Sequence, residues 1–294
     1  MTKGFLQRVL KELNRHRAKL AVLALFFGVA LIFWLLHEQQ EARKTSSALE
    51  AIISHLREMP SITPVPLVAV PTPPAPPRPR IAIVIDDVGL TSEGSQEAIA
   101  LPAGVTLSFF PYAPHVQQQV DTAHAAGHEV FMHIPMEAMG SEDPGPGTLR
   151  VGMSEDELRA AIEKNLSAFT GYVGVNNHMG SRFTADEAGM RPLMEALKAR
   201  ELMFLDSRTT VSTKGEDLAR ELGVPVTRRH VFLDNEMDEE SIANQFAALL
   251  KLADRQGMAV AIGHPHHVTL ATLARLLPYL SPRYELVPVS ALVK

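Results

Sequence analysis

The chain has 294 residues, 46% of them hydrophobic, and carries 33 Asp and Glu against 28 Lys and Arg. This is more apolar than one soluble domain requires, yet too little for a polytopic membrane protein. It contains no cysteine, which excludes disulfide stapling, thiolate metal sites and cysteine nucleophiles.

The first element, residues 1–19, is a basic segment in which Lys3, Arg8, Lys11, Arg15, Arg17 and Lys19 face a single Glu12. Residues 20–36 follow as an uncharged apolar run with Trp34 near its far end. That length sits at the lower limit for a membrane-spanning helix. The positive-inside rule then keeps the N-terminus in the cytoplasm and exports the rest of the chain. No small-x-small cleavage site follows Leu36, so the run reads as an uncleaved signal-anchor rather than a removed signal peptide. The expected location is the inner membrane, single-pass, with the remainder in the periplasm or extracytoplasmic space. Residues 37–80 form a stalk and linker. Leu49, Ile52, Ile53 and Leu56 lie at helical spacing, which suits an oligomer paired through the stalk. Nine prolines between residues 60 and 80 make the rest a semi-rigid extended spacer.

Residues 81–294 read as one domain. Over that span 17 Lys and Arg stand against 28 Asp and Glu, a net of −11 that argues against a nucleic-acid partner. Strand-like apolar runs occur at 81–85, 105–110, 129–134, 172–176, 202–205, 225–233, 258–263 and 284–289. Helices lie between several of them. Ser154 with Glu157, and Thr184 with Glu187, have capping-box spacing. Further helices are expected over 239–256, ending at Gly257, and over 269–280. Strand–helix alternation implies a parallel sheet. Without a phosphate-binding glycine loop, the expectation is an α/β fold: a single distorted (β/α) barrel with seven or eight parallel strands.

The polar residues gather at strand ends. Asp86 and Asp87 terminate the first run, and regular alternation would point them in different directions. His133 ends the third run, Asn176, Asn177 and His178 the fourth, Asp206 and Ser207 the fifth, and His264 the seventh. Asp234 and Asn235 end another apolar run and suit one rim of a cleft. A parallel barrel brings such ends to one face, where catalytic groups collect. His115, His124 and His128 read instead as surface or capping residues.

Several of these motifs carry a resemblance. Asp86-Asp87-Val88-Gly89, Gly127-His128-Glu129-Val130-Phe131-Met132-His133 and Gly263-His264-Pro265 resemble the NodB-type polysaccharide deacetylases. With His133-Ile134-Pro135-Met136-Glu137, Asn176-Asn177-His178-Met179-Gly180-Ser181 and Asp206-Ser207, the likeness is closer to the divergent polysaccharide deacetylase branch, the YibQ-like proteins. It covers 81–294. The resemblance implies a metal-dependent hydrolase, most suited to Zn2+, acting on a polysaccharide or peptidoglycan-type substrate. It implies Asp86 as general base, Asp87 and His133 as metal ligands, and His264 as general acid. Glu137 stands where the family's metal motif has its second histidine, so His178 is the candidate replacement. Glu137, Asn176, Asn177, Ser181, Asp206, Ser207 and His266 are then substrate-binding or supporting residues. Asp206 is a candidate to steady a catalytic histidine or the base. The altered ligand and the 6% aromatic content leave a second reading open: a catalytically weak or inactive scaffold that binds glycan or envelope partners. Phe109, Phe110, Tyr112, Phe131 and Phe183 are the aromatics expected near the mouth.

Overall fold

The computed structural model describes residues 50, 51, 53 and 54, residues 77–280 and residues 282–293. The basic segment, the signal-anchor at 20–36 and nearly all of the stalk and linker lie outside the described residues. Among the described residues no helix is long and apolar enough to cross a membrane.

Strand and helix alternate in the order β1 (Arg80–Val88), α1 (Ser92–Ile99), β2 (Thr106–Phe109), α2 (Val116–Ala125), β3 (Val130–Met136), α3 (Glu155–Leu166), β4 (Gly174–Met179), α4 (Glu187–Ala199), β5 (Met203–Asp206), α5 (Gly215–Leu222) and β6 (Val226–Arg228). Then come β7 (Val231–Phe232), α6 (Glu239–Gln256), β8 (Met258–Gly263), α7 (His267–Leu276) and β9 (Glu285–Leu286). The strands form one sheet in the order β6-β5-β4-β3-β2-β1-β8-β7, with β9 on β1. All of its pairings are parallel. The two ends of this path are successive pieces of one extended run. Arg228 pairs with Asp206 of β5, whereas Val231 pairs with Ala261 of β8. The run changes partner halfway, and so completes a distorted parallel barrel.

Alternation sorts the strand residues. Ala82, Val84, Phe131, Met203, Leu205, Val260 and Ile262 pack together inside the barrel. Ile81, Ile83 and Ile85 are also buried, on the opposite face of β1, under the helices. The C-terminal segment fills the bottom: Val287, Val289 and Leu292 join the interior cluster. The Val289 amide donates to Thr106 Oγ1 at 3.0 Å, and Ser290 N to Glu129 Oε1 at 3.2 Å. What remains accessible is the carboxyl end of the strands.

Two expected elements differ. Ser154 and Glu157 do form a capping box at α3. Thr184 does not cap α4; it lies in a 3-10 turn, Phe183–Ala185, and its hydroxyl donates to Gly180 O. The cap is Asp186, which accepts from Gly189 N at 2.7 Å, because a carboxylate directly before the helix outcompetes a hydroxyl two residues further back. The helix expected over 269–280 instead spans His267–Leu276, with Leu277–Tyr279 continuing as a 3-10 turn around Pro278.

The interior leaves no room at Gly174. A Cβ there would stand 2.4 Å from Met203 Cγ and 2.5 Å from the Phe131 ring. Gly174→Ala is therefore expected to destabilise the domain by about 1–3 kcal/mol through overpacking. Urea unfolding of the purified chain measures this, and an unchanged midpoint would contradict the packing described.

Candidate active site

The interior alternation runs on past the apolar core into polar residues at the mouth. The same inward register that carries Ala82 and Val84 reaches Asp86, and that of Phe131 reaches His133. Gly174 leads to Asn176 and His178, and Val260 and Ile262 lead to His264.

Regularity breaks at one place. From Ile85 to Val88 strand β1 advances three residues while its partner advances only from Leu107 to Phe109. The extra residue is a β-bulge, and Asp87 adopts φ +57°, in the left-handed region. Asp86 and Asp87 consequently do not diverge as alternation predicts. Both carboxylates approach His133 Nε2, Asp87 Oδ1 at 3.2 Å and Asp86 Oδ2 at 3.7 Å. Gly89 makes the turn possible. Its φ is +112°, and a Cβ there would lie 2.6 Å from that of Ala113. Its amide donates to Ser95 Oγ, and its carbonyl accepts from Gln119.

Asp87 Oδ1 also lies 2.9 Å from His178 Nδ1, and the two imidazole nitrogens are 3.3 Å apart. Three donor atoms thus form a tight triangle that could hold a cation. Asp87 Oδ1 is buried and has no hydrogen-bond partner. Burial opposes ionisation of Asp87, but contact with His133 and His178 outweighs it and holds the carboxyl well below the usual range.

Asn176 organises the centre. Its Nδ2 donates to Asp86 Oδ1 at 2.8 Å and to Ser207 Oγ at 3.3 Å. A carboxylate only accepts, so this fixes the amide orientation and leaves Oδ1 facing Ser108 Oγ, at 2.6 Å, and His133 Nδ1, at 2.9 Å. His133 therefore donates through Nδ1 and presents the Nε2 lone pair to the triangle. Burial raises the pKa of Asp86 more than His133, His264 and Asn176 lower it.

Across the mouth stands a second group. His264 Nδ1 donates to Asp234 Oδ1 at 3.0 Å, and the His264 amide to Asp234 Oδ2 at 2.7 Å. Thr269 Oγ1 also donates to Oδ2, at 2.9 Å. Burial works against a charged His264, but Asp234, joined by Asp86 and Asp87, pushes its pKa up to about 9. His266 lies beside it, with ring centres 6.0 Å apart, and Asp234, His264 and His266 form another group with ligand-like spacing.

The other sequence candidates point elsewhere. Glu137 follows β3, and a rise of about 3.3 Å per residue carries it roughly 13 Å beyond His133. Its carboxylate accepts from Val151 N and pairs with Arg182. Asp206 faces outward, accepting from Arg208 N and Thr213 Oγ1; the carboxylate that steadies the histidine is Asp234. Asn177 ties Ser207 N to Met179 O, and Ser181 accepts from Met139 N. Of the expected aromatics, Phe109, Phe131 and Phe183 are core residues. Phe110 packs edge-on to His178 and stacks with Tyr112, ring centres 4.8 Å apart in each case. Ser108 was not singled out in the sequence, although its place on the inner face two residues beyond Thr106 was a usable signal.

A parallel barrel with aspartates and histidines converging at its mouth defines an α/β protein with a candidate cation-binding active site. The chain belongs to the divergent polysaccharide deacetylase family, which it matches over residues 83–293. It is similar to the uncharacterized protein YibQ of Escherichia coli (strain K12), 38% identical over 214 residues that make up 73% of this chain and 67% of YibQ. An uncharacterized protein of Haemophilus influenzae (strain Rd) is 35% identical over 208 residues, 71% of this chain and 74% of that protein. The crystal structure of the uncharacterized protein ATU2773 from Agrobacterium tumefaciens C58 matches with a TM-score of 0.72 and 32% identity, covering 76% of this chain and 92% of that one.

The Asp234–His264 pair generates a measurable expectation. A histidine whose pKa is raised stabilises the fold fully below about 6.5 and ceases to do so as pH rises through about 9. Asp234→Asn is expected to return the His264 pKa toward about 6.5 and to abolish that pH-dependent stability. NMR titration of the imidazole reads it directly; a value still near 9 in the variant would show that Asp234 is not the cause.

Proposed function

We propose that this protein is a membrane-anchored, exported, metal-dependent hydrolase that removes acetyl groups from amino sugars of a cell-envelope or extracellular polysaccharide. The observation that carries the reading is the buried, unpartnered Asp87 Oδ1 aimed between His133 Nε2 and His178 Nδ1. Its three edges of 2.9, 3.2 and 3.3 Å need open by only a few tenths of an ångström to match the roughly 3.3–3.6 Å between ligands of a tetrahedral Zn2+. One oxygen and two imidazole nitrogens form the donor set of a catalytic zinc site that keeps a position open.

A divalent cation held there supplies Lewis acidity, polarising an acyl carbonyl and acidifying water. Asp86, poised by burial and held by Asn176, accepts the proton of the attacking water. His264, kept protonated by Asp234, donates to the departing amine nitrogen. Asn176 fixes the faces of both His133 and Asp86, so the ligand and the base keep a set relation. Family membership supports the reaction class. The acidic balance of the domain and the basic, apolar N-terminal segment support an exported, anchored protein.

Elemental analysis and a deacetylation assay on acetylated oligosaccharides test the proposal with the full-length protein. About one zinc per chain is expected, with loss of metal in Asp87→Ala and His133→Ala. Asp86→Asn should keep the metal while losing at least 100-fold in kcat, in line with the general-base contribution. Full metal occupancy in both ligand variants would sink the assignment. Asn176→Ala removes the partner that orients His133, and a 10–100-fold weaker metal affinity is expected on the scale of such supporting contacts. Competition with a chelator measures it, and unchanged affinity would remove Asn176 from the site.

A further inference from the structure

Arg229 takes no part in the chemistry above, yet it stands at the mouth in an unusual setting. It lies between β6 and β7, where the chain leaves β5 for β8. Across that change of partner the chain stays bonded to both neighbours, Arg229 N donating to Asp206 O and His230 N to Val260 O, each at 2.9 Å, and Arg208 just beyond β5 adopts φ +48°. The Arg229 side chain closes over the end of β5, with Nε donating to Ser207 O at 2.6 Å and Nη2 to Arg208 O at 2.8 Å. It lies 4.8 Å over the Phe232 ring, whose centre is 5.1 Å from that of His264.

Among the described residues, Nη1 of Arg229 has no acceptor, and Arg229 has no carboxylate within 4.0 Å. A shortage of acids is not the reason. Arg159, Arg182 and Arg191 each find a carboxylate within about 3.1 Å, in a domain where acidic residues outnumber basic ones. Arg208 is a second cation close by, ion-paired with Glu216 at 3.9 Å. Elsewhere the mouth is poor in such charge, since no Lys or Arg occurs between Arg80 and Arg150. With Nε and one N–H of Nη2 spent on carbonyls, the end-on edge, one N–H of Nη1 beside the second N–H of Nη2, remains as a fork for a planar anion.

We propose that Arg229, with Arg208 beside it, binds a carboxylate on a sugar adjoining the acetylated one, so that the substrate class is an acidic rather than a neutral acetylated glycan. The inference rests on the hydrolase reading and specifies its substrate. Phe232 sets the spacing: its ring separates the guanidinium from His264, so the carboxylate sits a ring's breadth from the proton donor. Two kinds of carboxylate have the chemistry, a lactyl ether on the amino sugar and a uronate in the chain.

The test uses full-length protein and three probes: neutral N-acetylglucosamine oligomers, oligomers alternating with N-acetylmuramic acid, and oligomers alternating with glucuronate. Binding by calorimetry and acetate release are both recorded. The wild type is expected to bind at least one acidic probe about tenfold more tightly than the neutral one, and which one identifies the carboxylate. Arg229→Gln should erase that preference while leaving neutral binding unchanged, and Arg229→Lys should retain part of it. Equal binding of acidic and neutral probes by the wild type overturns the proposal. So does an Arg229→Gln variant that weakens all probes alike, the mark of a residue that only staples Ser207 and Arg208. Arg229-dependent binding of an acidic probe without acetate release from any probe refutes the hydrolase reading and leaves the carboxylate site standing.

Discussion

One extra residue in β1 governs the site. In a regular strand only Asp86 would face the barrel, and Asp87 would point to the opposite face of the sheet. The bulge between Ile85 and Val88, with Asp87 in the left-handed region, brings both carboxylates to one imidazole. A non-glycine residue in that conformation costs on the order of 1–3 kcal/mol and persists only where its surroundings hold it. Here the hold is visible in Gly89, tied at its amide by Ser95 and at its carbonyl by Gln119. Met179 at the end of β4 and Arg208 just beyond β5 repeat the conformation. Strain thus gathers around the mouth.

The consequence is a concentration of negative charge in a region with little solvent. Asp86 is buried and Asp87 half-buried, and no Lys or Arg occurs between Arg80 and Arg150. Arg229 acts on Asp86 from further away, so close compensation falls to imidazolium or to a bound cation. The shifts express that need: burial opposes charge on His133, yet Asp86 and Asp87 raise its affinity for a proton. A divalent cation would satisfy the same field through the same nitrogen atoms, displacing the proton as it binds. The approach of Asp87 Oδ1 to both imidazoles and the raised proton affinity of His133 are two aspects of one demand for positive charge.

Much of this was readable in the chain, and what was not has identifiable causes. Apolar runs located the strands to within a few residues because burial on both faces leaves a continuous signal. Glu239–Gln256 was placed because it combines periodicity with a terminal glycine. Thr184 misled because its spacing to Glu187 imitates a capping box, while Asp186 stood closer. The strand-end rule gathered Asp86, His133, Asn176, His178 and His264. It did not separate inward from outward neighbours, so Asn177 and Asp206 were grouped with residues they do not face. The bulge was hidden since it is a property of register between two strands, which no single segment records. Arg229 was hidden for the same reason, its setting being created when one run exchanges β5 for β8.

That exchange also connects the two sides of the mouth. The C-terminal segment seals the bottom with Val287, Val289 and Leu292, and the interior is filled by Phe131, Leu205 and Ile262. The functional groups gather at the carboxyl end of the strands. The donor triangle lies on the β1, β3 and β4 side, and His264 with Asp234 lies on the β7 and β8 side. The partner change sets Arg229 between these strands, where its guanidinium packs over Phe232 and Phe232 packs against His264. The same run that joins β5 to β8 through its backbone therefore joins the β5 end to the proton donor through its side chains.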